Sequence, residues 1–191
     1  ANMSKNVDQL PEGGWGIKLM SQLSDHLSYT STHDHRNCLL IVKNYEQKGL
    51  NQSQYLQKAS ILERGIEYFN PMNGLKYQGQ QQMLCDTPLE KIYLQVSTDL
   101  KELDQVLQWF NQLSHLPISQ TIFIQCQLIL AEGFTNAVRH AHKGLSWATP
   151  IELEIAVFNE RIEMKIWDYG QAFNLEAKLS EFKKLEQKSL N

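Results

Sequence analysis

Two polar side chains four residues apart, Glu132 and Asn136, could act together on a bound ligand. They fall in the later turns of a predicted helix over residues 120–142, and this spacing places them on one face. A carboxylate beside an amide oxygen can orient a hydroxyl group and hold a hydrated divalent cation. A bare E-x-x-x-N pair more often marks a solvated helix face. Gly133 favours a functional role here, since a glycine inside a helix costs about 1 kcal/mol relative to alanine and suggests a close approach to the backbone.

A second candidate site follows a predicted strand, where Asp168 and Gly170 form a D-x-G sequence. The carboxylate can accept a hydrogen bond from an exocyclic amine, and the glycine lets a planar ring lie against the backbone. Because Asp and Gly also favour ordinary turns, this short pattern alone more often indicates a turn than a site.

A glycine-rich loop, Gly13-Gly14-Trp15-Gly16, leads into the first predicted helix. Free backbone N–H groups and the positive end of the helix dipole make such a junction suited to a phosphate group. No G-K-[ST] sequence follows, so the loop is not of the Walker type. Taken alone, the glycines fit a loop without a ligand equally well.

The elements that position these residues alternate between helical and extended patterns. Helical spacing of apolar residues predicts helices over 16–27, 103–113 and 120–142. Alternation predicts strands over 89–96, 151–157 and 162–166, and two short apolar runs around 27–30 and 38–42 predict a hairpin. Residues 45–84, rich in Gln, Asn and Gly, predict a linker with one helix over 54–69, and the charged segment 175–191 is predicted to be mobile at its end.

Composition is that of a globular protein with one domain of ordinary size. Hydrophobic residues make up 42% of the chain, and the formal charge of -3 provides no electrostatic footprint for nucleic acid or an anionic membrane. No segment is apolar enough to span a bilayer, and no secretory signal is evident. The three cysteines lack CxxC spacing, which argues against a disulfide framework and a zinc site. We therefore expect a cytoplasmic protein that contacts neither nucleic acid nor membrane directly.

Together the three motifs resemble those of the GHKL ATPases, and among them the anti-sigma-factor serine/threonine kinases. Residues 132–141 are similar to the N-box E-x-x-T-N-A-x-R-H-A of that subfamily, and residues 168–173 to its D-x-G-x-x-F adenine box. Residues 13–20 are similar to its phosphate box. The resemblance covers residues 8–43 and 88–180. It implies an α+β fold of the Bergerat type, a two-layer sandwich with a mixed, mostly antiparallel sheet and helices on one face.

The resemblance also implies a site for ATP or ADP with Mg²⁺, and a role for each matching residue. Glu132 would be the catalytic base, and Asn136 would be the magnesium ligand. Asp168 would bind the adenine amine, with Gly170 and Phe173 close to the ring. The other nucleotide-binding residues that it implies are Gly13, Gly14, Gly16, Ile17 and Arg139.

The order of the motifs departs from that family, because the phosphate box and the last hairpin precede the N-box and the adenine box. Each motif occurs once, so a circular permutation opened in the nucleotide lid explains the order. We expect residues 1–43 and 88–191 to form one ATPase domain, joined by a linker over 44–87. That linker is long enough for residues 1–43 to dock on their own chain or on a neighbour, which would give a domain-swapped homodimer.

The activity implied by the resemblance is that of an ATP- and Mg²⁺-dependent serine/threonine kinase that acts as an anti-sigma factor. Its protein substrate would be a STAS-domain anti-sigma antagonist, and a sigma factor would be its second partner. A severed lid should reduce phosphoryl transfer more than nucleotide binding. The alternative is a nucleotide-gated binding module with little or no catalysis. The catalytic domain of a histidine kinase fits less well, because no H-E-x-x-x-P sequence precedes the motifs.

Overall fold

Residues 15–46 and 87–189 are described by the computed structural model, and their strands form one sheet. The strands are β1 (His26–Ser31), β2 (Asn37–Asn44), β3 (Glu90–Val96), β4 (Ile151–Val157) and β5 (Arg161–Asp168). They lie in the order β1-β2-β5-β4-β3, and all four neighbouring pairs are antiparallel. The pairing of β2 with β5 therefore joins the segment 15–46 to the segment 87–189.

The helices in the described residues are α1 (Trp15–Leu23), α2 (Leu103–Asn111), α3 (Gln120–Asn136) and α4 (Leu175–Ser189). Single 3-10 turns at Leu100–Glu102 and Gln112–His115 flank α2, and a π-helical turn at Ala137–Ala141 extends α3. None of these helices combines the length and the apolarity that crossing a bilayer requires. The expected α+β class is confirmed.

Local sequence explains where the helices begin and end. The carboxylate of Asp99 accepts a 2.9 Å hydrogen bond from the backbone N–H of Lys101, and Ser119 caps α3 in the same manner. Helix α1 ends four residues earlier than the apolar pattern predicts, because Leu27 belongs to β1. The hydroxyl of Ser24 donates to the carbonyl oxygen of Met20, which satisfies a free acceptor at the end of the helix.

Helices α1 and α3 pack on the face of the sheet that carries Leu39 and Ile166. Gly133 of α3 permits this packing, since a Cβ atom there would lie 2.5 Å from Cδ1 of Ile166, 3.5 Å from Leu39 and 3.6 Å from Sδ of Met20. The close approach to the helix backbone that Gly133 suggested is therefore made by the core side chain of Ile166. Cys126 of α3 is fully buried and behaves as a core thiol, as its apolar neighbours predict.

The opposite face of the sheet carries charged residues, among which Glu154 is 6% exposed. Burial alone would raise the pKa of the Glu154 carboxyl, but hydrogen bonds from Tyr93, Lys165 and Lys91 together hold its pKa below the usual value. The two lysine ammonium groups lie 2.9 Å and 3.1 Å from its carboxylate oxygens. Pairing with these two lysines offsets the cost of burying the Glu154 carboxylate.

The predicted linker over 44–87 falls mostly on residues 47–86, which are outside the described part, as is its predicted helix over 54–69. Strand β2 continues to Asn44, and the next residue, Tyr45, is 7% exposed. Its hydroxyl donates to the carbonyl oxygen of Phe158 at 2.5 Å. The segment that packs with the rest of the domain therefore reaches at least to Tyr45, slightly beyond the predicted boundary at residue 43.

Candidate functional site

A cavity of about 540 Å³ lies between the later turns of α3, the end of β5 and the first turns of α4. Its volume lies within the range of pockets that enclose small-molecule ligands. Both Asn136 and Asp168 line this cavity, together with apolar side chains. The structure thus brings the N-box and the adenine box to one site.

The carboxylate of Asp168 is 3% exposed and is held by donors from three parts of the chain. Its Oδ1 atom accepts hydrogen bonds from Nδ2 of Asn37 at 3.0 Å and from the backbone N–H of Gly170 at 2.9 Å. The Tyr29 hydroxyl lies 3.2 Å from Oδ1 and 3.0 Å from Oδ2. Since most donors converge on Oδ1, Oδ2 keeps acceptor capacity for a ligand.

Gly170 lies directly against the end of the N-box helix. A Cβ atom at this position would lie 2.3 Å from the carbonyl oxygen of Ala141, which only a glycine avoids. The Gly170 carbonyl oxygen accepts a 2.9 Å hydrogen bond from Asn37, the residue that also donates to Asp168. The loop that follows β5 is therefore fixed to both the helix and the sheet.

Two aromatic rings meet at the adenine box. The centroids of Tyr29 and Phe173 are 4.5 Å apart with an interplanar angle of 33°, and both rings line the cavity. Burial is the main factor that raises the pKa of the Tyr29 hydroxyl far above its usual value, and the nearby Asp168 carboxylate adds to this effect. The hydroxyl therefore stays protonated and donates to the carboxylate.

The first turn of α1 lies against the predicted catalytic pair. A Cβ atom on Gly16 would lie 2.5 Å from Oε2 of Glu132, and 3.0 Å and 3.2 Å from the amide atoms of Asn136. The Asn136 Nδ2 atom is buried and has no hydrogen-bond partner among the described residues. Buried polar atoms without a partner are uncommon in proteins and often mark a place where a ligand or water binds.

Other predicted site residues differ in their placement. Ile17 and Asn136 line the cavity, whereas Glu132, Arg139, Gly16 and Gly170 are not among the lining residues. The side chain of Arg139 is exposed. Gly13 and Gly14 lie outside the described residues. Among the described residues, no group of three His, Cys, Asp or Glu side chains is arranged to hold a metal ion.

Helix α4 covers one side of the cavity. Leu175 is 6% exposed, and Leu179 and Phe182 are half-buried on the same helix face. The side chain of Asn174 caps the helix by accepting a 2.9 Å hydrogen bond from the backbone N–H of Ala177. The charged segment from residue 175 is helical as far as Ser189, and mobility at its end stays a prediction.

Sequence reasoning overlooked Asn37 and Tyr29 as site residues, and it left out His140 although spacings of four place His140 on the same helix face as Glu132 and Asn136. Asn37 and Tyr29 bind the Asp168 carboxylate, and His140 lines the cavity one helical turn after Asn136. Asn37 carried a signal, since it is a polar residue at an inward position of the alternating strand β2. Tyr29 has no comparable signal because tyrosine is common in strands.

Comparison with known families gives a match over residues 96–188 to the family model of the histidine kinase-like ATPase domain. No curated protein and no solved structure shows a significant similarity to this chain. The matched range contains α2, α3, β4, β5 and nearly all of α4, and with them Glu132, Asn136 and Asp168. Residues 96–188 of this chain therefore resemble a histidine kinase-like ATPase domain of the GHKL type.

Proposed function

We propose that this chain is an ATP- and Mg²⁺-dependent serine/threonine kinase that acts as an anti-sigma factor in a partner-switching pathway. The observation that carries the proposal is that Asn136 and Asp168 line one cavity within the region that resembles a histidine kinase-like ATPase domain. Their side chains are suited to opposite ends of a nucleotide, since an amide oxygen can bind a cation and a buried carboxylate can bind an amine.

Adenine recognition rests on Asp168. Its carboxylate is fixed by Tyr29, Asn37 and Gly170, so it is oriented before a ligand arrives. An adenine amine donating to Oδ2 would satisfy the remaining acceptor capacity. Guanine has a carbonyl oxygen in place of that amine, and two acceptor oxygens repel each other. The site should therefore prefer adenine to guanine nucleotides.

The phosphate groups would lie near Asn136 and the first turn of α1. The Nδ2 atom of Asn136 is unsatisfied in the described structure, and a polar ligand would supply its hydrogen-bond partner. Rotation of the side-chain amide exchanges its oxygen and nitrogen, so that Oδ1 can face the ligand instead. A Mg²⁺ ion at this place would take Asn136 Oδ1, and it would reduce the negative charge of the phosphates. Few protein ligands are needed, because magnesium usually keeps several waters and binds substrate phosphates.

Glu132 is suited to the role of general base. Its Oε2 atom would lie 2.5 Å from a Cβ atom on Gly16, and Glu132 lies one helical turn before the cavity-lining Asn136. In the proposed transfer, the Glu132 carboxylate accepts the proton of a serine hydroxyl as the serine oxygen attacks the γ-phosphorus. The bond from that phosphorus to the β,γ-bridging oxygen breaks, ADP leaves, and the proton remains on Glu132.

The protein partners follow from the resemblance of residues 132–141 to the N-box of the anti-sigma-factor kinases. We propose a STAS-domain anti-sigma antagonist as phosphoryl acceptor and a sigma factor as the second partner. We also propose a homodimer in which residues 1–43 can complete the site of a neighbouring chain, since α1, β1 and β2 supply Gly16, Tyr29 and Asn37 to the site.

Phosphotransfer from ATP to purified STAS-domain antagonists tests the kinase proposal, with Glu132→Gln as the decisive variant. We expect Glu132→Gln to bind ATP within about threefold of the wild type and to lose transfer by at least about a hundredfold, the usual contribution of a general base. Glu160→Gln, an exposed carboxylate in the β4–β5 turn, is the matched control. Unchanged transfer in Glu132→Gln would refute the mechanism, and ATP binding without transfer in the wild type would indicate the nucleotide-gated binding module.

Mixing two inactive variants tests the swapped dimer. Gly16→Asp impairs the part of the site made by residues 15–46, and Asp168→Asn impairs the part made by residues 87–189. If chains exchange their first segments, a mixture of the two variants regains one intact site per dimer and recovers ATP binding. Light scattering that shows only monomers at high concentration, together with no recovery, would refute the exchange.

A further inference from the structure

His142 is a buried histidine next to the nucleotide cavity. It is 2% exposed and follows the π-helical turn that ends the N-box helix. None of the three motifs assigns it a role. Its ring lies between the end of β3 and the loop that contains Asp168 and Gly170, so it connects two parts of the chain that are far apart in sequence.

The hydrogen bonds of His142 fix its protonation state. The backbone N–H of Tyr169 donates to Nε2 of His142 at 2.8 Å, so Nε2 must carry a lone pair. The neutral ring therefore has its proton on Nδ1, which lies 2.6 Å from Oγ1 of Thr98. The Thr98 hydroxyl in turn donates to the carbonyl oxygen of Thr149 at 2.7 Å. Each donor in this series of hydrogen bonds has one acceptor.

We propose that His142 is a positioning residue for the adenine site, and that it holds the loop after β5 only while its ring is neutral. This inference rests on the proposed binding of ATP. Tyr169 lies between Asp168 and Gly170, so the bond to its N–H fixes the stretch of backbone that carries both residues. Gly170 also packs against Ala141, the neighbour of His142.

Protonation of His142 would break this arrangement, because Nε2 would then carry a hydrogen that points at the N–H of Tyr169. Burial holds the pKa of His142 below its ordinary value, and the smaller opposing effect comes from the charge of Asp168. Asp168 is the charged group that faces the ring from β5, while Thr98 presents a neutral hydroxyl from the other side. The charged residues nearest in the same segment, Arg139 and Lys143, are exposed.

Nucleotide affinity should therefore depend on the charge of His142. At neutral pH the ring is uncharged, and the loop is held. As the pH falls through the lowered pKa of His142, the free protein gains a proton that the nucleotide-bound protein binds less readily. By linkage, ATP binding must lower the pKa of His142 by the same free energy with which protonation weakens ATP binding.

The experiment measures ATP affinity between about pH 8 and about pH 5 for the wild type, His142→Gln and His142→Phe. The Gln side chain can still accept from Tyr169 but cannot be protonated, whereas Phe fills the space without an acceptor. The exposed His115, changed to Gln, is the control. Ratios of variant to wild type at each pH cancel the titration of ATP itself.

We expect His142→Phe to bind ATP about tenfold more weakly than the wild type at high pH, because the buried N–H group of Tyr169 loses its acceptor. His142→Gln should stay within about threefold at high pH and lose less affinity than the wild type on acidification. The His115→Gln profile should follow the wild type, and NMR titration should show the His142 pKa falling when ATP binds.

Equal pH profiles for the wild type and His142→Gln, or an unchanged His142 pKa on ATP binding, would refute the positioning role. That result leaves the proposed function intact, provided that the wild type binds ATP. A wild-type protein that binds no ATP at any pH would instead refute the proposed function. Should His142→Phe fail to fold, the comparison of the wild type with His142→Gln and the NMR titration still decide the question.

Discussion

A methyl group added at Gly170 should disturb the adenine site strongly. The Cβ atom of Gly170→Ala would lie 2.3 Å from the carbonyl oxygen of Ala141 and 2.6 Å from its carbonyl carbon. Both are backbone atoms, so no side-chain rotation relieves the contact. Nonbonded carbon atoms need about 3.5 Å, so the loop must move by about 1 Å.

That displacement acts on two hydrogen bonds of 2.9 Å, one from the Gly170 N–H to Asp168 and one from Asn37 to the Gly170 carbonyl oxygen. Each bond contributes about 1 kcal/mol, so losing both costs about 2 kcal/mol, which corresponds to roughly thirtyfold in affinity. We expect ATP to bind Gly170→Ala up to about thirtyfold more weakly than the wild type, and the free energy of unfolding to fall by about 2 kcal/mol.

Calorimetric titration with ATP measures this effect, and circular dichroism checks the fold. Gly144→Ala is the matched control, because no atom of residues 15–46 or 87–189 lies within 4 Å of its added Cβ, although its φ of +86° makes the substitution strained. The control should lose about 1 kcal/mol of stability from this strain and keep its ATP affinity. A folded Gly170→Ala protein that binds ATP within about threefold of the wild type would show that the loop does not position Asp168.

Two further perturbations have defined outcomes. Tyr29→Phe keeps the ring beside Phe173 but removes the hydroxyl that donates to Asp168, so ATP should bind about tenfold more weakly, while a purine nucleotide without the 6-amino group should be unaffected. Equal losses for both nucleotides would mean that the hydroxyl serves packing alone. Because the pKa of Glu154 is lowered in the folded protein, its stabilising effect is present at neutral pH and is lost as the pH falls through that lowered pKa. Thermal unfolding should show Glu154→Gln destabilised by about 1 kcal/mol at neutral pH and equal to the wild type in strong acid, and a pH-independent difference would contradict the pairing with its lysines.

Local patterns in the sequence predict the elements of this fold well. The alternation of apolar residues in β4 and β5 places Ile155, Met164 and Ile166 inward, and all three are buried. The predicted strand over 89–96 matches β3, which spans Glu90–Val96. Helix α4 also had a local signal, since Asn174 can cap a helix and the apolar residues that follow recur at spacings of four and three.

Long-range features of the site were not predicted, because they depend on strand register. Asn37 lies directly opposite Asp168 in the pairing of β2 with β5, and nothing local to either residue specifies that partner. The contact of Gly16 with Glu132 likewise depends on how α1 packs against α3. The role of His142 arises from bonds to Thr98 and Tyr169, which lie 44 and 27 residues away in sequence.

The residue roles implied by the N-box and the adenine box are consistent with the geometry at Asn136, Asp168 and Gly170, yet they stay predictions until a nucleotide is bound. A spacing rule predicted that Glu132 and Asn136 share a helix face, and both lie beside Gly16. The role of Arg139 in phosphate binding also stays a prediction, since its side chain is exposed and is not among the residues that line the cavity.

Calorimetric titration of the wild type and Asp168→Asn with ATP and GTP addresses adenine binding itself. We predict that the wild type binds ATP and prefers it to GTP, because the Asp168 carboxylate accepts from the adenine amine. An asparagine can turn its own N–H₂ group towards that amine, so Asp168→Asn should bind ATP at least about tenfold more weakly and lose the preference for adenine. Equal ATP affinities for the two folded proteins, or equal affinities of the wild type for ATP and GTP, would contradict an adenine site at Asp168.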